Sequence, residues 1–283
     1  MTKRVAIIGA GFSGLLACKH TMKMGFDPVV FESRNDIGGV WLHTIDSTKL
    51  QTPKEFFQFT DFPWPTSVPE TFPDHRQVLA YLRAYAAHFN LLQKIKFGSK
   101  VTAIDFEGAF SQEDGFSSPG RWIVSVVNSA DSMNVRHEFD FVILCVGRYS
   151  GLPNIPEFPV NKGPEIFEGH AMHSMDFANM DRAAVAEIVA GKRVVVVGFQ
   201  KSAVDLAVEI ASKNGKEHPC TLLFRSTHWT VPEDTIRRSL KSMSRFSEML
   251  VHYPREGIFR WFLVLLLSPM VRRRLHLGSA RKH

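Results

Sequence analysis

Two short glycine-rich segments of this 283-residue chain combine the residue types and the spacing that bind phosphate groups. The first, Gly9-Ala10-Gly11-Phe12-Ser13-Gly14, is a complete Gly-x-Gly-x-x-Gly motif that follows a run of small and β-branched residues. The second, Gly198-Phe199-Gln200-Lys201-Ser202-Ala203, follows four consecutive valines. A glycine turn between a strand and a helix leaves backbone N–H groups to cradle a pyrophosphate. Since one such turn serves one dinucleotide, the sequence predicts two dinucleotides that react with each other.

The first motif assigns a separate task to each glycine. Gly9 permits the tight turn, Gly11 lets the backbone approach the pyrophosphate, and Gly14 allows the helix to pack closely on the strand. An acidic residue ends the next strand, 18 positions after Gly14, where it is placed to accept hydrogen bonds from a ribose diol. The residues expected to bind this cofactor are Gly9, Gly11, Phe12, Ser13, Gly14 and Glu32.

A second pair of glycines follows soon after Glu32, in the segment Gly38-Gly39-Val40-Trp41. Two glycines let a loop pass tightly over a flat cofactor, and Trp41 is placed to cover it. Alone, the segment is equally typical of an ordinary turn beside a packed tryptophan. Together with the first motif it favours a flavin dinucleotide, with Gly39, Val40 and Trp41 as contacts.

The second motif departs from the full glycine pattern. Gln200 stands where the second glycine is expected, and Ala203 takes the third position, where alanine is tolerated. Arg225 follows the next strand, and an arginine there suits a 2′-phosphate and therefore NADP rather than NAD. A surface arginine without a ligand is the alternative. The residues expected to bind this second cofactor are Gly198, Gln200, Lys201, Ser202, Ala203 and Arg225.

The elements that must position these turns follow from hydrophobic periodicity and from helix end signals. Two strand–helix–strand units are predicted. The first comprises a strand at Val5–Ile8, a helix at Phe12–Met24 ended by Gly25, and a strand at Val29–Glu32. The second begins at Arg193 and continues with a helix at Ser202–Ser212 and a strand at Thr221–Phe224.

Between the two units, periodicity predicts a helix and a small meander. The elements are a helix at Arg76–Phe89 and strands at Val101–Phe106, Trp122–Val127 and Phe139–Val146, the first two strands pairing antiparallel. A domain boundary is expected near Phe177–Gly191. The sequence therefore predicts an α/β fold of two dinucleotide-binding, Rossmann-like domains. These are an FAD-binding domain over 1–180, with the meander at about 100–140, and an NADP-binding domain over 190–283.

Composition and charge limit the classes of partner. A net charge of +6 and a pI near 9.3 suit phosphate ligands, while the scatter of basic residues argues against nucleic acid. The three cysteines, Cys18, Cys145 and Cys220, are far apart, and the first two fall in apolar segments as expected of core thiols. This pattern favours a reducing compartment. No spacing of His, Cys and carboxylates predicts a metal site.

The C-terminal part contains a strongly apolar stretch, Ile258–Leu267. It is too short to span a bilayer, for which about 20 residues are needed. The stretch predicts a buried or substrate-lining helix. Because Arg272-Arg273-Arg274 follows, contact with a membrane surface or with a partner is the alternative. At the other end, the chain enters a strand within its first few residues, which leaves no room for a secretory signal.

The segment between the two turns contains a further motif. From its residue types alone, this segment is only a linker. Phe167, Gly169, His173 and Phe177 fit Phe-x-Gly-x-x-x-His-x-x-x-[Tyr/Phe], which resembles the identifying motif of the flavin-containing monooxygenases. Segments that resemble flavin-side loops of that family are Leu50–Lys54, Phe59–Pro65 and Cys145–Tyr149. The Gly-Phe-Gln-Lys-Ser-Ala form of the second turn is similar to plant members, particularly those resembling pipecolate N-hydroxylase.

The resemblance implies an NADPH- and O2-dependent monooxygenase that binds FAD and NADP(H). Such an enzyme oxygenates a soft nitrogen or sulfur nucleophile of a small molecule through a flavin C4a-hydroperoxide. The cofactor carries this chemistry, so no catalytic side chain is required, and Gln51 and Asp61 are candidates only for shaping the site. Together with the cysteine pattern, the resemblance implies a cytoplasmic location, with the surface of the endoplasmic reticulum as the alternative.

The resemblance also implies that the NADP domain is inserted in the FAD domain and that family members extend well beyond position 283. The NADP domain is therefore expected to be incomplete at its C-terminus. The alternative function is a truncated product that binds FAD without turnover. A flavin disulfide reductase has a similar architecture but needs a redox-active cysteine pair, and the three cysteines are too far apart in sequence to suggest one.

Overall fold

The computed structural model of the chain describes residues 2–108, 120–130, 132–149, 151 and 153–226. These residues form nine strands and five α-helices. In chain order the elements are β1 (Arg4–Ile8), α1 (Phe12–Lys23), β2 (Asp27–Phe31), α2 (His75–His88), β3 (Ile95–Lys96), β4 (Ser99–Gly108), β5 (Gly120–Asn128), β6 (Asn134–Phe139), β7 (Phe141–Leu144), α3 (Ser174–Asn179), α4 (Arg182–Val189), β8 (Val195–Val197), α5 (Lys201–Asn214) and β9 (Thr221–Leu223).

Two parallel sheets carry the two glycine motifs. The described strands of the first sheet have the order β3-β2-β1-β7, and all neighbours are parallel. In the second sheet β8 pairs in parallel with β9. Four of the five residues of β1 are buried, because a central parallel strand is covered on both faces. The α/β class predicted from the sequence is thereby confirmed, with a parallel sheet behind each motif.

The first strand–helix–strand unit follows its sequence pattern closely. Helix α1 ends before Gly25, which has a φ of +81°. The Gly25 N–H donates to the carbonyl oxygen of Met22 at 3.0 Å, and the Phe26 N–H donates to that of Thr21 at 3.1 Å. These two bonds close a helix through a left-handed residue, a conformation that glycine adopts without strain. The chain then turns into β2, which pairs in parallel with β1.

An antiparallel meander of the order β4-β5-β6 separates β3 from β7 along the chain. The expected pairing of its first two strands is confirmed, because Val101 lies opposite Val126. One face of the meander packs on the parallel sheet. The buried cluster between them includes Phe31 of β2, Val124 of β5 and Phe139 of β6.

The strand expected at Phe139–Val146 is confirmed as the shorter β7, whereas Phe139 ends a separate strand, β6, that was not predicted. Strand β6 pairs with β5 in the meander, whereas β7 pairs with β1 in the parallel sheet. The chain changes sheets at Asp140, whose carboxylate accepts a hydrogen bond from the Arg4 N–H at 2.7 Å and whose own N–H donates to the Arg4 carbonyl at 3.0 Å. Strand β6 gives no apolar run because Arg136 and Glu138 are exposed. Because the sequence of β6 is mostly polar, its hydrophobic periodicity does not predict a strand.

The segment expected to contain the domain boundary folds into α3 and α4. Phe177, Val185 and Val189 are buried in this segment. They belong to the same core cluster as Val196 of β8 and Ile210 of α5. The expected boundary at 177–191 therefore passes through helices that form part of the core behind the second motif.

The predictions for the C-terminal part lie outside the described residues. Both Ile258–Leu267 and the three arginines at 272–274 fall within 227–283. Within the described ranges, every helix is too short or too polar to cross a membrane. The assignment of 1–180 and 190–283 to separate domains, one inserted in the other, stays a prediction.

Candidate cofactor sites

The turn after β1 is closed by backbone contacts that leave no room for side chains. Gly9 has a φ of +102°, and its N–H donates to the carbonyl of Phe31, the last residue of β2, at 2.8 Å. A Cβ on Gly9 would lie 2.5 Å from the carbonyl oxygen of Cys145, and a Cβ on Gly14 would lie 1.8 Å from the carbonyl oxygen of Gly9. Steric crowding therefore requires glycine at the first and third positions of the motif.

The middle glycine of the motif meets the second glycine pair. A Cβ on Gly39 would lie 3.3 Å from the Cα of Gly11, and the Gly38 N–H donates to the carbonyl of Ala10 at 3.1 Å. Gly11 has a φ of −79°, and a Cβ there would lie 3.6 Å from the Cα of Gly39, which is ordinary contact. The protein alone therefore does not demand glycine at position 11. A side chain there would fill the bare backbone surface where the two segments meet.

Glu32 braces the same turn from the end of β2. It is 6% exposed, and its Oε2 accepts a hydrogen bond from the Ala10 N–H at 2.7 Å. Its Oε1 accepts one from the Arg34 N–H at 3.0 Å, and Arg34 Nη1 donates to the carbonyl of Gly39 at 3.1 Å. The carboxylate and the guanidinium thus hold the two glycine segments together. The ribose contact expected of Glu32 stays a prediction.

The turn after β8 repeats this layout with looser packing. Gly198 has a φ of +134°, and its N–H donates to the carbonyl of Leu223, the last residue of β9, at 2.8 Å. A Cβ on Gly198 would lie 3.4 Å from the Cβ of Ala203, so alanine fits at the third position. The rings of Phe199 and Phe224 pack with their centroids 4.3 Å apart. Sequence reasoning missed this pair, whose signal is two phenylalanines just beyond the ends of β8 and β9.

The polar residues of the second motif lie on or beside this turn. Gln200 is the N-cap of α5, and Lys201 begins the helix. The Lys201 ammonium forms an ion pair with Asp205, one helical turn further along. Ser202 and Arg225 are exposed. Contact of these side chains with a nucleotide stays a prediction.

The helix starts distinguish the two glycine turns from the rest of the described fold. Side chains cap the other three α-helices, namely Asp74 on α2, His173 on α3 and Asp181 on α4. Gly11 and Gln200, the N-cap residues of α1 and α5, make no side-chain cap, and neither helix has an acidic residue in its first turn. Unsatisfied N–H groups and the helix dipole favour an anion at such a start. Among the described α-helices, the two uncapped ones are those that begin at the glycine motifs.

The four residues of the linker motif do not meet in one cluster. The Phe167 ring is exposed and folds over Gly169, where a Cβ would lie 2.6 Å from ring carbons. His173 caps α3, because its Nδ1 accepts a hydrogen bond from the Met175 N–H at 3.2 Å. Phe177 is buried in the core behind the second motif. In these contacts the residues of the motif stabilise the local structure. A role of the motif in a flavin site stays a prediction.

The two candidates for shaping the site both lie at the protein surface. Gln51 is exposed. Asp61 forms an ion pair with Lys19 of α1, and the two line a surface cavity of about 370 Å³ together with Phe89. Lys19 is seven residues beyond Phe12, which places it about 10 Å along the helix from the glycine turn.

An aromatic layer that sequence reasoning missed supports the first turn. The ring of Phe12, the first residue of α1, stacks on Phe59 with centroids 4.2 Å apart. Phe57 lies edge-on to Trp41 at 5.6 Å. The hydroxyl of Tyr81 on α2 accepts a hydrogen bond from the Phe59 N–H at 2.8 Å and so fixes this loop. The density of phenylalanine in the loop was the available signal, but the partners on α1 and α2 are distant in sequence.

Burial keeps two cysteines and one tyrosine near the first turn in their neutral, protonated forms. Burial raises the pKa of Cys18 to about 11 and that of Tyr85 to about 12, and it also raises the pKa of Cys145. Cys18 is fully buried and Cys145 is partly buried. These groups stay protonated at neutral pH and supply no nucleophile. In the part of the chain that the structure describes, no three His, Cys, Asp or Glu residues are grouped so that they could hold a metal ion.

Two parallel-sheet units, each with a glycine turn before an uncapped helix, define an α/β protein of the two-dinucleotide class. A family model described as flavin-binding monooxygenase-like matches residues 2–268. The chain belongs to this family, which confirms the resemblance carried by its motifs.

Curated relatives are similar along most of this chain. Probable flavin-containing monooxygenase 1 of Arabidopsis thaliana is 41% identical over 94% of this chain and 53% of its own length. Putative flavin-containing monooxygenase 2 of the same plant is 44% identical over 82% of this chain and 52% of its own length. Dimethylaniline monooxygenase (N-oxide-forming) 2 of Oryctolagus cuniculus is 34% identical over 93% of this chain and 48% of its own length. The chain therefore spans about half the length of the curated relatives it matches.

Solved structures share the fold. S-allyl-L-cysteine S-oxygenase from Allium sativum superimposes with a TM-score of 0.61 at 24% identity, covering 82% of this chain and 53% of that one. Oxidized steroid monooxygenase bound to NADP superimposes with a TM-score of 0.58 at 23% identity, covering 86% of this chain and 43% of that one. At these identities the likeness establishes the architecture.

Proposed function

We propose that this chain is the dinucleotide-binding part of an NADPH- and O2-dependent flavin monooxygenase. FAD binds at the turn of Gly9–Gly14 and NADP(H) at the turn of Gly198–Ala203. The observation that carries the proposal is the pair of uncapped helix starts, since side chains cap the other three described α-helices. A pyrophosphate supplies the acceptors that these two starts lack.

On the first turn, the backbone N–H groups of Phe12, Ser13 and Gly14 would bind the FAD pyrophosphate. The bare surface between Gly11 and the second glycine pair allows the close approach of the phosphate. Glu32 lies at the strand end, where a ribose binds in this fold class. Among the described residues it accepts three hydrogen bonds, and a carboxylate has about four acceptor positions, which would leave one for a ribose hydroxyl.

The loop after the second glycine pair would hold and cover the flavin ring. Gly39 is in backbone contact with the first turn, Val40 is largely exposed, and Trp41 is supported edge-on by Phe57. When bound and reduced, the flavin supplies the oxygen chemistry. The tasks left to these side chains are to orient the ring and to exclude water from it.

On the second turn, positive charge and helix geometry suit NADP(H). Lys201 and Ser202 begin α5 and would meet the phosphates, and the Gln200 amide can donate to them in place of the missing glycine. Arg225, exposed just beyond β9, would bind the 2′-phosphate. This is the basis for NADP(H) rather than NAD(H).

The proposed substrate class is a small molecule with a soft nitrogen or sulfur nucleophile, with O2 as the second substrate. The names of related proteins support both nitrogen and sulfur as the atom that is oxygenated. One relative is an N-oxide-forming dimethylaniline monooxygenase, and one fold neighbour is an S-allyl-L-cysteine S-oxygenase. A cytoplasmic location is proposed with it, because the three cysteines are unpaired thiols.

A second candidate function is an FAD-binding product without turnover. The observation that favours it is that the contacts joining Gly11, Glu32 and Gly39 around the first turn involve no residue of the second motif. The two candidates share the first cofactor site and differ in whether NADPH is oxidised.

Titration of the purified chain with FAD, followed by flavin fluorescence, tests the first site. Gly11→Ala and Gly11→Val are the informative variants, because a Cβ at position 11 would make only ordinary contact with the protein itself. We expect FAD affinity to fall by about tenfold or more for valine, and by less for alanine. Gly163→Ala is the control, since Gly163 is also a loop glycine with a negative φ, and it should leave FAD binding unchanged.

Oxidation of NADPH in the presence of O2 then separates the two candidates. A yellow protein that oxidises NADPH supports the monooxygenase, whereas a yellow protein that does not supports the binding product. A colourless chain that fails to take up added FAD contradicts both.

A further inference from the structure

A short stretch that follows the flavin loop lies against helix α5, and we call residues 43–48 the bridging segment. Ile45 is 4% exposed and belongs to the core behind the second motif. The Ser47 hydroxyl donates to the backbone carbonyl of Asp205 at 2.9 Å, and the Ser47 N–H donates to Glu209 Oε2 at 3.3 Å. The bridging segment thus connects the loop of the first cofactor site to the helix of the second.

Asp205 lies at the centre of this contact. Its Oδ2 accepts a hydrogen bond from Thr48 Oγ1 at 3.1 Å, and its Oδ1 pairs with the Lys201 ammonium. Thr48 Oγ1 accepts a hydrogen bond from Thr44 Oγ1 at 3.2 Å, so the proton of Thr48 is directed to Asp205. Asp205 is only 8% exposed. A carboxylate buried to this degree is destabilising when it loses a donor.

In the proposed function, Lys201 has two competing partners. Its ammonium pairs with a residue one turn further along the helix, whereas a nucleotide phosphate binds at the helix start. When the ammonium turns to a phosphate, Asp205 loses its cation. The carboxylate then depends on the hydrogen bond from Thr48.

We propose that Thr48 is a positioning residue for NADP(H), acting through Asp205 on Lys201. Its hydroxyl keeps the buried carboxylate hydrogen-bonded while Lys201 moves to the phosphate, and so makes that movement less unfavourable. The inference rests on the proposed function of the second turn. The proposal predicts that Thr48, in the N-terminal half of the chain, affects the affinity for NADP(H) at the second turn.

A double-mutant cycle with NADP+ as the probe tests this role, using isothermal titration of the full 283-residue chain. Thr48→Val removes the hydroxyl at nearly constant shape and should weaken NADP+ binding about tenfold. Asp205→Asn removes the charge that needs a donor. Adding Thr48→Val to Asp205→Asn should therefore change the affinity by less than about twofold.

Two further variants separate positioning from a general effect on folding. Thr48→Ser keeps the hydroxyl and should bind NADP+ nearly as the unaltered chain does. Thr66→Val makes the same change at an exposed loop threonine and should leave binding unchanged. Thermal unfolding of each variant checks that the fold is retained.

Loss of affinity in Thr48→Val that disappears in the Asp205→Asn background, together with rescue by serine, supports the proposal. An unchanged affinity in Thr48→Val overturns it, and so does an equal loss in both backgrounds, which would mark Thr48 as merely structural. In these two outcomes the chain still binds NADP+, so the proposed function of the second turn stands. A chain that takes up FAD but not NADP+ overturns both the second cofactor site and this inference.

Discussion

The two glycine turns share one layout and reach it by different means. In each, the first glycine has a positive φ and donates its N–H to the last residue of the following strand at 2.8 Å, from Gly9 to Phe31 and from Gly198 to Leu223. In each, the next helix begins without a side-chain cap. These shared features belong to the backbone, which explains why they recur although only the first of the three glycines is common to both motifs.

The packing around the two turns differs. A Cβ on Gly14 would lie 1.8 Å from a backbone oxygen, whereas the corresponding Ala203 has its Cβ 3.4 Å from the site of a Cβ on Gly198. A second glycine pair closes over the first turn, and an ion pair of Lys201 lies beside the second. The first turn is therefore set by backbone sterics, while the second is adjusted by side chains. At the third position of the motif, glycine is needed only where the backbones touch.

The largest expected effect comes from exchanging the third residue of each motif. Gly14→Ala drives a methyl group into the carbonyl of Gly9, and neither backbone can move away, so we expect a loss of about 3 kcal/mol in the free energy of unfolding. Ala203→Gly should lose only about 1 kcal/mol, through helix propensity. Urea unfolding of both variants measures the difference. Equal losses would contradict the steric distinction between the turns.

Next in size is the effect of Arg225 on cofactor choice. Arg225→Ala should weaken NADP+ binding about tenfold, because a charge-assisted bond to the 2′-phosphate is lost, and should leave NAD+ binding unchanged. Arg193→Ala, at an exposed arginine just before β8, is the control and should alter neither. Calorimetric titration with the two nucleotides gives the ratio. A parallel loss for both nucleotides would remove Arg225 from the 2′-phosphate site.

The smallest effect concerns pH and the bridging segment. His43 is exposed over much of its surface, but partial burial, with a smaller contribution from Arg34, lowers its pKa, and a hydrogen bond with Asn179 opposes this shift. The unfolded chain therefore takes up a proton below about pH 6.5 where the folded chain resists it, so the free energy of unfolding should fall as the pH drops through this region. His43→Gln should make this dependence shallower between pH 7.5 and 5.5.

Urea unfolding at several pH values measures this slope. Burial also lowers the pKa of His137 in the meander, so some pH dependence should persist in His43→Gln. His88→Gln, at a histidine on α2, is the control. A slope identical in all three proteins would exclude a contribution from His43.

Local signals predicted the turns and the elements next to them. The strand Val5–Ile8, the helix ended by Gly25 and the second strand–helix–strand unit are encoded in short runs of residues, where periodicity and glycine positions act over a few neighbours. Strand β6 was missed because its exposed face is polar and its pairing partner is remote.

The contacts around the site were harder to predict, because they depend on residues far apart in the sequence. Thr48 and Asp205 are 157 positions apart, and no local pattern marks either as a partner of the other. The stacking of Phe12 on Phe59 likewise arises only when a loop closes on α1. Sequence motifs therefore located the two glycine turns, whereas the three-dimensional fold was needed to reveal what connects them.

Hydrogen exchange of the backbone amides, measured with FAD and with NADP+ separately, tests the central claim most directly. FAD should protect residues 9–14 and 38–41, and NADP+ should protect residues 198–203, each with little effect on the other turn. Protection of one and the same turn by both nucleotides, or of neither turn by either, would contradict the assignment of one dinucleotide to each.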